Sequence, residues 1–290
     1  MTYTLGGTGI WSGALRYGDP TGASEAAAEM EELGYSAVWI PDVGGDVFSP
    51  LQNLLEATRS MTVATGILNL WMHSANDTAT KYNEFVERFG TRLLVGIGIS
   101  HAPLIDATGV GNYTRPLART REFLDDLDAQ SPSVPADQRV LAALGPKMLE
   151  LSRSRAGGAH TYLVTPEHTA IAREAIGSER LLAPEQAVVL ETNPDRARSL
   201  ARAHMSGYIG LPNYSNNWLR LGFEEADLLD GGSDRLVDAI VAWGDEDAIR
   251  SRVQQHRDAG ADHVCVQILE DDMLAFQLDQ CRRLAPALIG

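Results

Sequence analysis

Short apolar runs alternate with amphipathic stretches from one end of the chain to the other. The first run, 3–10, reads as a strand, and a helical stretch at 23–33 follows it, closed by Gly34. The pattern continues with a strand at 35–40, a helix at 51–59, a strand at 61–68 and a helix at 79–89 ended by Gly90. A strand at 92–97 and a helix at 115–128 precede a Pro/Ser-rich surface loop at 131–135. The second half repeats the alternation, with strands at 140–144, 160–164, 186–190 and 263–269. Its helices are expected at 146–156, 166–176, 195–208, 246–259 and 273–284. Thr165-Pro166 and Asn193-Pro194 each place a capping residue before a proline at the first helical position.

Eight strands each followed by a helix predict an α/β fold, a (β/α)8 TIM barrel. The strands are rich in Val, Ile and Leu without clean alternation, as parallel strands covered by helices are. One domain over 1–290 is expected, with an irregular insertion at about 209–243 between strands seven and eight. A doubly wound nucleotide-binding sheet fits less well: no GxGxxG follows the first strand, and no Walker A pattern occurs.

Composition narrows the partners. With 290 residues and 44% apolar content the chain can bury a large core, and its 39 acidic against 24 basic residues make a formal charge of −15. Such a surface repels phosphate backbones and anionic lipid, so nucleic acid and membranes are poor partners and a small molecule is the expected one. No basic leader and no apolar run of about 18 residues is apparent, which points to a cytoplasmic protein. Cys265 lies in an apolar run and reads as a small hydrophobe rather than half of a disulfide with Cys281. The seven histidines show no HExxH or HxH spacing, so no metal site is expected.

In this architecture the chemistry sits at the C-terminal ends of the strands. Trp11, Trp71 and Met72 there offer flat or soft apolar walls. Gly66, Gly96, Gly98 and Gly145 let a ligand approach the backbone. Helix starts near Lys147 and Thr165 are candidate phosphate sites. Ionisable candidates are few: Asp42, His73, His101, Lys147 and Glu191. Aromatic walls with so little acid–base equipment suit a cofactor that carries the chemistry itself.

The chain resembles the luciferase-like monooxygenase superfamily, and within it the branch that uses the deazaflavin F420. The resemblance rests on Val38-Trp39-Ile40-Pro41-Asp42, Ala64-Thr65-Gly66-Ile67-Leu68-Asn69 and Val95-Gly96-Ile97-Gly98-Ile99-Ser100-His101. It continues through Ala142-Ala143-Leu144-Gly145-Pro146-Lys147, Gly158-Ala159-His160-Thr161-Tyr162-Leu163-Val164-Thr165, Ala242-Trp243-Gly244-Asp245 and Ala259-Gly260-Ala261-Asp262-His263. It implies a TIM barrel with an insertion, usually dimeric, that transfers a hydride between F420 and an unidentified small organic substrate. A reduced-FMN monooxygenase and a non-catalytic deazaflavin-binding barrel are the alternatives. The resemblance places the cofactor ring against a bulge after strand three, with Gly66–Ile67 matching a non-proline cis bond. Asp42, Gly66, Ile67, Asn69, Gly98, Gly145, Lys147 and Thr165 are the expected cofactor-binding positions.

Two departures limit what carries over. Relatives that oxidise sugar phosphates have a His after the strand-two Asp and a Glu at the end of strand four, and this chain has Val43 and Ile99 there. His73 and His101 are then the candidate catalytic proton donors. His160, His168 and His263 read as structural, and Tyr214, Trp218 and Phe223 as a lid or a dimer contact. An anionic cofactor also requires a locally basic rim, for which Arg115, Arg119 and Arg121, or Arg153 and Arg155, are candidates.

Overall fold

A computed structural model describes residues 5–289. Its strands are β1 (Thr8–Trp11), β2 (Ala37–Ile40), β3 (Thr62–Thr65), β4 (Leu68–Asn69), β5 (Leu93–Gly98), β6 (Arg139–Ala142), β7 (Gly158–His160), β8 (Leu181–Leu182), β9 (Glu185–Val189), β10 (Ala242–Trp243) and β11 (Val264–Ile268). Every pairing is parallel, and helices carry the chain between most neighbours.

Successive strand residues point to opposite faces, and both faces here are apolar. Ile10, Val38, Ile40, Val63, Val95 and Val266 belong to the cluster shared with the helices. Trp11, Ala37, Trp39, Ala64, Leu94, Val140 and Cys265 form a separate cluster on the opposite face. Small residues there leave room for Trp39, which is fully buried.

The fold differs from a regular closed eight-strand ladder. It is one curled parallel sheet of eleven short strands, with the order β10-β9-β11-β1-β2-β3-β5-β6-β7-β8 and β4 beside β5. β8, at one end of the order, is separated along the chain by only Ala183 and Pro184 from β9, the second strand from the other end. Ala183 N donates to Ala159 O at 2.9 Å, Glu185 N to Thr161 O at 2.8 Å, and Cys265 N to Pro184 O at 3.0 Å.

Several elements shift from their anticipated bounds for identifiable reasons. The run 61–68 is split into β3 and β4 by a cis peptide at Gly66–Ile67. The sixth strand starts at Gly158, which reads as a helix stop in the sequence. A Cβ on Gly158 would lie 1.9 Å from Leu181 O, so only glycine admits this pairing. β8 and a helix at Ala102–Thr108, stopped by left-handed Gly109, are additions. The last helix begins at Leu278 rather than 273, after Gln277 at φ 49°. Residues 3 and 4 of the first anticipated strand lie outside the described residues. The caps fall where the sequence places them: Thr165 accepts from His168 N and Asn193 from Arg196 N. The 209–243 segment holds helices Pro212–Arg220 and Asp234–Ile240 and ends in β10.

Among the described residues no helix is long and apolar enough to cross a membrane, and no cluster of His, Cys, Asp and Glu has the makings of a metal site. Cys265 and Cys281 are both buried free thiols.

Candidate active site

The C-terminal ends of six strands open into one cavity of about 390 Å³, within the usual range for small-molecule sites. Trp11 follows from β1, Pro41, Asp42 and Val43 from β2, and Gly66 and Ile67 from β3. Ile99, Ser100 and His101 follow β5, Ala142 to Gly145 end β6, and His160 and Tyr162 end β7. Tyr208, Pro212, Asn213, Tyr214, Asn216 and Arg220 close the opposite side. Ser100 and Leu163 have φ of 58° and 51°, so the chain turns sharply at two of these strand ends.

The Asp42 side is tightly hydrogen-bonded. Asp42 Oδ2 accepts from Asn69 N at 3.0 Å and from His73 Nε2 at 2.8 Å, and the carboxyl is fully buried. Gly66 N donates to Ile40 O at 2.8 Å, and Gly66 O accepts from Trp11 Nε1 at 3.0 Å. A Cβ on Gly98 would lie 2.5 Å from Ile67 Cγ1, so Gly98 makes room for the Ile67 side chain.

The facing side is aromatic. Tyr162 OH donates to Gln267 Oε1 at 2.7 Å and lies 3.2 Å from Tyr208 OH and 3.4 Å from His204 Nε2. Tyr214 packs edge-on against Tyr208, and tilted against His101 and Trp218. Burial raises Tyr162 and Tyr214 well above the usual phenol range. It also lowers His101, which is therefore a neutral imidazole at pH 7. Asn213 Nδ2 donates to His101 Nδ1 at 3.4 Å, which leaves the ring proton on Nε2.

Of the sequence-derived candidates, Asp42, Gly66, Ile67, His101 and Gly145 line the cavity. Asn69 and His73 stand behind Asp42 as its hydrogen-bond partners. Gly98 lies beneath Ile67, and Thr165 caps the helix Pro166–Ile176. Lys147 is exposed in the first turn of Pro146–Arg155 and is not part of the lining. Trp71 is one layer back, its Nε1 donating to Ile99 O at 3.0 Å. Val43 and Ile99, the two departures noted in the sequence, both line the cavity.

Residues that the sequence did not single out complete the lining: Tyr113, Tyr162, Tyr208 and Arg220. His160, which read as structural, faces the cavity with them. Tyr214 is part of the wall, Trp218 is buried behind it, and Phe223 packs under Arg235 away from the cavity. Of the two basic clusters, Arg153 and Arg155 are tied to Glu150, Asp125 and Asp128. Arg119 lies 5.4 Å over the Trp71 ring.

Known proteins share this architecture. An F420-dependent secondary alcohol dehydrogenase in complex with an F420–acetone adduct superposes with a TM-score of 0.76 at 14% identity, covering 98% of this chain and 99% of that one. The coenzyme F420 dependent tetrahydromethanopterin reductase from Methanopyrus kandleri gives 0.76 at 17% identity, with the same coverage. The long-chain alkane monooxygenase gives 0.67 at 10% identity, covering 99% and 92%. In sequence, a 5,10-methylenetetrahydromethanopterin reductase of Methanolobus tindarius is 32% identical over 96 residues, 32% of this chain and 29% of the relative. A protein of Mycobacterium tuberculosis named for coenzyme F420-dependent oxidoreductase activity is 25% identical over 107 residues, 37% and 31% of the two chains. Each sequence match thus spans about a third of either protein. The family model described as luciferase-like monooxygenase matches residues 3–263. The chain belongs to the luciferase-like monooxygenase family.

Proposed function

We propose that this protein is an F420-dependent oxidoreductase that transfers a hydride between the deazaflavin and a small organic substrate. We read the curled sheet as a TIM-barrel-like single domain over 1–290 with 209–243 as its insertion, forming a homodimer in the cytoplasm. The observation that carries the reading is the cavity itself. A backbone ledge at Gly66–Ile67, held at both polar atoms, faces an aromatic wall, and no pair of free acid–base groups stands between them among the described residues. Such a site binds and orients a group that brings its own reactivity. The Mycobacterium tuberculosis relative is F420-dependent by name, which supports F420 over FMN.

The residues present fit such a ring. Gly66 and Ile67 offer a partly exposed flat surface, and Asp42 locks the strand ends beside it through Asn69 N and His73. When bound there, F420 supplies hydride exchange with the substrate. The chain's own part is to position, to exclude water and to handle the proton. Trp11, Tyr162, Tyr208 and Tyr214 keep the interior dry, and His101 holds a proton at Nε2. His73 stabilises Asp42 and has the same proton-donor chemistry at one remove. We read Gly145, uncapped by any side chain at its helix start, and Lys147 at the rim beside it as the partners of the cofactor's anionic end.

Fluorescence titration with F420 and FMN tests the reading. Quenching by F420 at micromolar concentration and none by FMN is expected, and the reverse preference or binding of neither overturns it. His101→Ala is expected to lower kcat while leaving F420 affinity within about twofold.

A further inference from the structure

Just under the cavity floor lies a polar atom that no group of the described chain satisfies. His160 is 2% exposed and stacks on Trp39, with centroids 4.5 Å apart and planes 15° apart. Its Nδ1 lies 2.7 Å from Ala183 O. A carbonyl only accepts, so the proton sits on Nδ1 and Nε2 is a bare lone pair. Burial lowers the ring to about 4, so Nε2 gains no second proton at neutral pH. Yet Nε2 has no hydrogen-bond partner.

The donors near it are already committed. Trp11 Nε1 gives its hydrogen to Gly66 O, and Trp39 Nε1 gives its hydrogen to His263 Nε2 at 3.1 Å. Nε2 lies 3.3 Å from where a Cβ on Gly66 would sit, just beneath the backbone ledge. Buried acceptors are almost always paired, and one left bare in a cavity lining marks where an outside donor belongs. Two other bare atoms nearby, Thr161 Oγ1 and Glu185 Oε1, belong to residues outside the lining.

We propose that His160 is a cofactor-binding residue whose Nε2 accepts an N–H or O–H from the planar ring seated against Gly66. The tautomer that makes this possible is imposed from behind, by the Ala183 carbonyl in the kink between β8 and β9. The inference rests on the F420 reading but is separable from it. The ring's donor edge, rather than its anionic tail, would be read by a neutral imidazole. Selectivity at this point is then for a protic heterocycle, and an aprotic analogue of the same shape is disfavoured.

The protein labelled with 15N-histidine is titrated with oxidised F420 alone, and fluorescence quenching is read alongside. Quenching together with a shift of the His160 Nε2 resonance toward that of a hydrogen-bonded nitrogen is expected. His160→Phe keeps the stack on Trp39 but removes the acceptor, and is expected to weaken F420 binding about tenfold. If that variant fails to fold, the wild-type resonance decides. Quenching with an unmoved Nε2 resonance overturns the proposal and leaves the cofactor reading standing. Quenching by His160→Phe at wild-type affinity does the same. No quenching of the wild type overturns the cofactor reading and the proposal with it.

Discussion

The two walls of the cavity treat their polar atoms in opposite ways. On the wall running from Asp42 to His101, Asp42 takes two donors on one oxygen, Gly66 is paired at both N and O, and Trp71 reaches the Ile99 carbonyl. Only Asn69 Nδ2 is left over there. In the stretch 142–220 that supplies the other wall, His160 Nε2 in the lining and Thr161 Oγ1, His168 Nδ1, Glu185 Oε1 and Asn217 Nδ2 behind it all lack partners. The same stretch carries several groups that burial shifts far: His160, Tyr162, Glu185, His204 and Tyr214. A satisfied wall keeps its geometry whatever the conditions. An unsatisfied one answers to protons and ligands.

The largest expected effect is in acid unfolding, where His160 of the second wall acts together with two buried histidines outside it. His160, His256 and His263 are buried and lowered to about 4, 3 and 4. Below pH 6.5 the unfolded chain takes up protons that these folded rings refuse, so stability falls as pH drops from 6.5 toward 4. Each ring contributes a slope of about 1.4 kcal/mol per pH unit, or about 4 kcal/mol per unit for the three. Urea unfolding at pH 7, 6 and 5 measures it. A flat profile across that range would mean that the fold does not hold these three rings neutral.

Next in size is Asp42→Ala, which strips Asn69 N and His73 Nε2 of their shared acceptor. Two buried donors lose their partner, at a cost of about 3 kcal/mol. Asp42→Asn keeps an acceptor and is expected to lose less than half of that. Equal losses for the two variants in urea would show that the carboxyl's hydrogen bonds are not what holds this wall.

The same division decides what was legible in the sequence. The first wall comes from consecutive strand ends with recognisable residues, so Asp42, Gly66, Ile67 and His101 are found by locating each strand end and reading the next few residues. The second wall is assembled from distant pieces. Tyr208, Tyr214 and Arg220 come from a segment with no strand period, where nothing local tells an inward tyrosine from an outward one. Glu185 opens an apolar run and looks like a solvated strand start. It is buried because the chain kinks at Ala183–Pro184 and β8 already continues the sheet before it. His160 looks like one more core histidine, since Gly157-Gly158 imitates a helix stop and hides where its strand begins. The alternation of strands and helices was plain, but the point where β8 runs on into β9 depends on two residues without a distinctive pattern.

Glycine substitutions sharpen the comparison at smaller scale. Gly98→Ala pushes a Cβ to 2.5 Å from Ile67 Cγ1 and 3.1 Å from Ala142 Cβ. Overpacking of this kind costs about 2 kcal/mol, and displacement of Ile67 is expected to weaken F420 binding along with stability. Gly145→Ala is the control on the other wall. Its nearest atom is the Arg220 guanidinium at 3.8 Å and its φ is −88°, so the change in stability is expected to stay within about 0.5 kcal/mol. Similar losses for the two would mean the walls are equally tight.

The narrowest test isolates one carboxyl. Glu185 Oε2 accepts from Leu163 N at 3.0 Å, while Oε1 is bare and burial raises the group to about 8. Between about 4.5 and 8 the unfolded chain has released this proton and the folded chain keeps it. Folding therefore takes up a proton, and stability declines as pH rises through that window, by about 1.4 kcal/mol per pH unit. Glu185→Gln retains an acceptor for Leu163 N and has nothing to titrate. The variant is expected to match the wild type near pH 4.5 and to gain on it steadily up to pH 8. Between about 4.5 and 6.5 the two slopes differ in sign, carboxyl against histidines, so a difference profile of variant minus wild type removes the histidine contribution. A constant difference from pH 5 to 8 would show that Glu185 is ionised inside the fold, and a cation or donor would then have to face its bare oxygen. A rising difference would establish it as a neutral acid whose job is to pin the 161–163 turn that carries Tyr162 into the cavity.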